Sequence, residues 1–175
     1  INASFAEHLN EPYTLVVTLA TEGTEALPAR LLGKGGKLTL LRGATLRQVT
    51  GVVAAVEEGS THPQRLATKL VIRPALEALR HRVNTKIFQS KTVPQLLEEV
   101  LNESLGPYGR AFATRLTRAY PTCDYRVQYD ESDLAFCRRL MEEEGIVSWF
   151  DFEGDGETLV LADDKGDYGA IESIH

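Results

Sequence analysis

The segment Tyr125–Phe152, YRVQYDESDLAFCRRLMEEEGIVSWFDF, constrains the fold more tightly than any other stretch of the chain. It has room for a strand, a capped helix, a glycine stop and a second strand, with almost no spare residue. Tyr125, Val127 and Tyr129 alternate with Arg126 and Gln128, the period-2 pattern of a half-buried strand with an apolar side and a polar side. Asp130 or Ser132 can cap the helix, and Glu131 and Asp133 in its first turn suit the positive end of the helix dipole. Leu134, Cys137, Leu140 and Met141 share one helical face, with Phe136 at its edge. Gly145 suits the left-handed position that ends the helix, and Ile146–Phe152 begins a β run at once. Nothing in this β-α-β unit suggests chemistry.

Residues 1 to about 78 read as β structure. Tyr13–Ala20 is a strand. Leu31–Leu41 reads as a hairpin turning at Gly33, Gly35 and Gly36, and Arg47–Val56 as a strand with a bend or bulge at Gly51. Glu57–Gln64, EEGSTHPQ, is a loop by composition, and Arg65–Arg73 returns as a strand. Short strands at this spacing suggest an antiparallel sheet curled into a small barrel. Pro74–Arg82 reads as a crossing segment.

Thr92 and Gln95 stand in capping-box spacing, Pro94 is tolerated in a first turn, and Val93, Leu96, Leu97, Val100 and Leu101 form a buried stripe. Gly106, Pro107 and Gly109 end that helix. Ala111–Ala119 is too short and mixed to assign. Further on, Glu153-Gly154-Asp155-Gly156 lies between the run ending at Phe152 and Thr158–Ala162, a strong hairpin signal. The expected fold class is α+β, mainly β. Residues 1–82 form a small antiparallel β-barrel-like domain whose start is expected to be missing. Residues 83–175 form an α+β subdomain with helices near 93–104 and 132–144.

Motifs that suggest chemistry fail on spacing. Gly33-Lys34-Gly35-Gly36-Lys37 resembles a phosphate-binding loop, yet Leu31 stands where the first Gly should be, Leu38 follows the Gly-Lys pair, and the context is β. Counting an EF-hand loop from Asp151 puts Ala162 at the position that needs a bidentate Glu, with strands as flanks. His8, His62, His81 and His175 are isolated, and neither cysteine pairs with another at metal-ligand spacing. There is no Gly-x-Ser-x-Gly elbow. Glu142, Glu143 and Glu144 could supply carboxylates for glycosidic cleavage, but neighbours on a helix point about 100° apart, so a solvated face is favoured. Glu144 lies near the negative helix end, an unfavourable place that the sequence leaves unexplained. Trp149 reads as core, although an interface would use the same residue type. The sequence therefore singles out no catalytic, cofactor-binding or metal residue and no defined binding set.

At 43% hydrophobic the 175 residues can bury one good core or two small ones. No run approaches the roughly 20 apolar residues of a membrane span. The opening INASFAEHLNEP has neither the basic start nor the apolar centre of a signal peptide. Cys123 and Cys137 are expected to be reduced, which makes cytoplasmic synthesis the default. The net charge of −6 is uneven: from Asp124 onward there are 15 acidic and 4 basic residues, and before it 10 acidic and 15 basic. Two solvated subdomains explain this, or oppositely charged regions could meet between copies. An acidic chain with few aromatics in its basic half is a poor nucleic-acid binder.

The run Glu131-Ser132-Asp133, Arg139-Leu140 and Glu142-Glu143-Glu144-Gly145-Ile146 resembles the hallmark of the VgrG family, the spike proteins of bacterial type VI secretion. Lys86-Ile87-Phe88-Gln89, Thr92-Val93-Pro94 and Leu96–Leu101 are similar to the family's segment just upstream. The resemblance covers nearly the whole chain and is thinnest over Ile1–Arg47. It extends to the baseplate hub and late-control D proteins of contractile-tail phages. It implies a structural hub that carries a puncturing tip and effectors, without catalysis or cofactors of its own. The implied partners are the chain itself as a homotrimer, a hexameric tube protein, baseplate proteins, a tip-capping protein and effectors, with no nucleic acid. The implied location is cytoplasmic before firing, then secreted or injected into a target cell. A phage or prophage hub is the alternative, and a peptidoglycan hydrolase domain a more distant one. The start without Met and the resemblance together lead us to expect a piece of a longer protein.

Overall fold

A computed structural model describes residues 1–22, 29–42, 45–62 and 65–167. The chain forms two units: Ile1–Glu77 with Asp151–Glu157, and Ala78–Phe150 with the chain from Thr158 onward.

The first unit is an antiparallel sheet of five strands: β1 (Asn2–Ala6), β2 (Thr14–Glu22), β3 (Gly35–Arg42), β4 (Thr45–His62) and β5 (Arg65–Arg73). Their order is β1-β2-β5-β4-β3, a curled half-barrel with β1 and β3 at its edges. Tyr13, Leu15, Val17, Val49, Val53 and Ile72 are buried on its inner side. The rings of Phe5, Tyr13 and Phe152 form an aromatic triangle with centroids 5.2–6.0 Å apart, and the Tyr13 hydroxyl donates to the Thr50 carbonyl.

Gly51 is not the bend that the sequence suggested. The register of β4 shifts at Val53/Ala55 and again at Ser60/His62. A Cβ on Gly51 would lie 2.7 Å from the Arg73 carbonyl oxygen and 2.8 Å from the Tyr13 hydroxyl, so close approach requires glycine there. The glycines at 33–36 do not turn a hairpin either. Gly33 sits at φ 74°, its N–H donates to the Val53 carbonyl, and Val53 returns a bond to Lys34, so the run leads into β3. The supposed loop is part of β4: Glu57, Glu58 and Gly59 face Lys69, Thr68 and Ala67 of β5. A polar arm of two paired strands has no apolar face to announce it, which is why composition misled there. His62 belongs to the same strand, and residues 63 and 64 lie outside the described residues.

In the second unit a 3-10 turn (Ala75–His81) runs in from the first and buries Leu79. β6 (Val83–Lys91) follows, then α1 (Val93–Leu105), β7 (Ala111–Arg115), β8 (Cys123–Ser132), α2 (Asp133–Glu144), β9 (Val147–Asp151) and β10 (Thr158–Ala162). β6 and β8 pair antiparallel as a two-stranded ribbon. β10 lies between β7, to which it is parallel, and β9. Thr92 and Gln95 form the expected capping box, and the predicted stripe of α1 is buried. Leu134, Cys137, Leu140 and Met141 are buried as expected, and Phe136, read as an edge residue, is buried too. Its ring stacks on Phe88 at 5.4 Å with 14° between planes. Among the described residues no helix is long and apolar enough to cross a membrane.

Candidate functional site

The β8–α2 junction is built on a buried carboxylate. Ser132 rather than Asp130 caps α2, its Oγ accepting from the Ala135 N–H at 3.1 Å. The next side chain, Asp133, is 2% exposed. Its Oδ1 accepts from Asn84 Nδ2 and from Gln128 Nε2, each at 2.8 Å. Its Oδ2 faces Arg82 Nε at 3.1 Å and Ser104 Oγ at 3.5 Å. Its backbone N–H donates to the Arg82 carbonyl at 2.8 Å. One side chain thus joins the segment leading into β6, β6 itself, α1 and β8.

This network reverses the expected faces of β8. Gln128 is fully buried because Asp133 and the Glu131 carbonyl receive its amide hydrogens. Arg126 also turns inward, to Glu143 at 2.7 Å. The apolar alternates therefore face outward: Tyr125 is 67%, Val127 38% and Tyr129 77% exposed. On β6, Val83 and Ile87 are exposed on the same side, and Ile87 stands directly opposite Val127. With Thr85 and Gln89 these positions make a ribbon face without a single charge. The sequence pattern of β8 was right in period and wrong in polarity. Period 2 distinguishes two faces and cannot say which of them meets the core. Val83 and Ile87 were missed, although the alternation Val83, Thr85, Ile87, Gln89 carried the signal.

Arg139 and Glu131 lock the outer side of the junction. Arg139 Nη2 and Nε lie 2.8 and 3.2 Å from the two Glu131 oxygens. The guanidinium also reaches Glu143 at 3.2 Å and the Val127 carbonyl at 3.2 Å, and lies over the Phe136 ring. Glu131, Ser132, Asp133, Arg139 and Gly145 (φ 64°) are thus explained as architecture: pair, cap, hub, clamp and stop. Glu143 of the acidic run pairs with two arginines, and Arg118 Nη2 donates to the Glu144 carbonyl. That cation at the negative helix end supplies the compensation that the sequence left unexplained.

Asp163 anchors the segment after β7. Its carboxylate accepts from the Thr117 N–H (2.9 and 3.1 Å), Thr117 Oγ1 (3.0 Å), the Arg118 N–H (3.0 Å) and the Tyr120 hydroxyl (2.8 Å). Burial alone would raise its pKa, but these donors, led by the two backbone amides, hold it well below the usual carboxylate range.

The motifs tested for chemistry occupy structural places. Asp151 Oδ1 accepts from the Glu153 N–H, and Glu157 Oε1 accepts from the Ala75 N–H at 2.9 Å. Among the described residues no group of three or more His, Cys, Asp or Glu side chains could hold a metal ion. His8 and His81 are exposed, and His175 lies outside the described residues. Both cysteines are free, and burial, with Asp133 and Glu131 nearby, pushes the Cys137 thiol up to about 12. Trp149 is half-buried beneath the Arg115 guanidinium, 5.6 Å from its ring centroid, while Phe150 and Ser148 are buried.

This arrangement matches known proteins along almost its whole length. The chain is 36% identical to the type VI secretion system spike protein VgrG1b of Pseudomonas aeruginosa, over 95% of this chain and 22% of that protein. It is 37% identical to the actin cross-linking toxin VgrG1 of Vibrio cholerae, over 84% of this chain and 13% of that protein. It therefore spans about a fifth or less of the length of these relatives. Among solved structures, a protein of E. coli superposes with a TM-score of 0.84 at 25% identity, covering 97% of this chain and 49% of that one. That protein is described as a type VI secretion component similar to the bacteriophage T4 tail proteins gp27 and gp5. One chain of a PdpA–VgrG complex shares the fold at a TM-score of 0.63 and 8% identity, over 93% of this chain and 30% of that one. The family model for the phage tail baseplate hub (GPD) matches residues 6–174, and the chain belongs to that family, with the VgrG spike proteins as homologues over most of its length.

Proposed function

We propose that the chain is the hub portion of a VgrG-type spike, acting by assembly and carrying no catalysis of its own. The observation that carries this is the 36% identity to a spike protein over 95% of the chain, on a baseplate-hub fold. In this reading residues 1–82 are the β hub domain and residues 83–175 the α+β subdomain. The protein forms a homotrimer seated on a hexameric tube, contacts the baseplate, and carries a tip-capping protein and effectors. It waits in the cytoplasm and leaves with the tube when the sheath contracts. The same segment occurs in proteins named as a spike and as a toxin, so it is the shared hub and toxin action is not proposed for it.

The test is deletion of this segment in its host. Secretion of the tube protein into the medium should be lost and return on complementation, and unchanged secretion would overturn the reading. The baseplate-hub match favours a second reading, a contractile-tail phage or prophage hub. Neighbouring genes for tail assembly and lysis, with loss of phage particles on deletion, would select it. A cleared zone in a peptidoglycan zymogram would argue for a hydrolase instead.

A further inference from the structure

We draw no further inference here: the strongest candidate, the uncharged outer face of the β6–β8 ribbon with Val83, Ile87, Tyr125, Val127 and Tyr129 exposed on it, carries nothing because nothing in the structure shows what covers it.

Discussion

Asp133 decides more of this structure than any other residue. A side chain that is 2% exposed must have its charge met, and Arg82, Asn84, Ser104 and Gln128 meet it from four parts of the second unit. Asp133→Asn keeps the shape but sets an amide against donors that need an acceptor. The expected cost is on the order of 3 kcal/mol, as for breaking a buried charge pair, checked by denaturant unfolding. Asp163 makes a pH-dependent case. Its pKa in the folded chain is depressed below the ordinary 3.8, so the stability it contributes is present above about pH 4 and lost as pH falls through its lower folded value. Asp163→Asn should therefore lower Tm at pH 7, and the gap to the parent should narrow as the pH is taken from 4 toward 2. A gap of constant size across that range would assign the effect to shape rather than charge. Neither carboxylate could be read as buried from the sequence. Each looks like an ordinary polar residue until partners distant in the chain are brought to it.

At the scale of elements, what could be read was what is encoded locally. The capping box at Thr92 and Gln95, the Ser132 cap and the Gly145 stop each lie within a few residues of the element they end. Leu140, fully buried on α2, should cost about 2–5 kcal/mol when replaced by Ala. Gly145→Val should also destabilise, because φ 64° is hostile to a β-branched residue. Thermal melts of both variants check the placement of α2, and shifts within about a degree of the parent would contradict it. What could not be read was any choice settled across the chain. The ribbon shows this best: the spacing of Tyr125, Val127 and Tyr129 demanded a strand, but Gln128 took the inner face because Asp133 waits on α2. The β4–β5 arm failed for the converse reason, since Glu57 and Glu58 look like a loop until Lys69 and Thr68 are set opposite them.

At the scale of the whole molecule, the uneven charge of the sequence does not survive folding. The turn Asp151–Glu157 belongs to the first unit and brings four acidic residues with it. Each unit then carries a net −3, the first from 11 acidic and 8 basic residues and the second from 14 and 11. Attraction between a basic and an acidic half therefore cannot drive assembly. The sequence's other option, an apolar contact, has a candidate in the exposed ribbon face, with Asp124 and Asp130 exposed at its ends. Burial of apolar surface does not depend on screening, whereas rim charges act over a Debye length of about 10 Å at 0.1 M salt. Sedimentation of the full-length protein should accordingly give the same trimer at low and high salt, with the rim charges showing only in a slower approach to equilibrium as salt rises. If the trimer falls apart when the salt is raised, the charged rim rather than the tyrosine face carries the contact. Asp124→Asn with Asp130→Asn should then abolish assembly, whereas on the present reading it leaves the trimer intact and removes only the salt dependence of its rate.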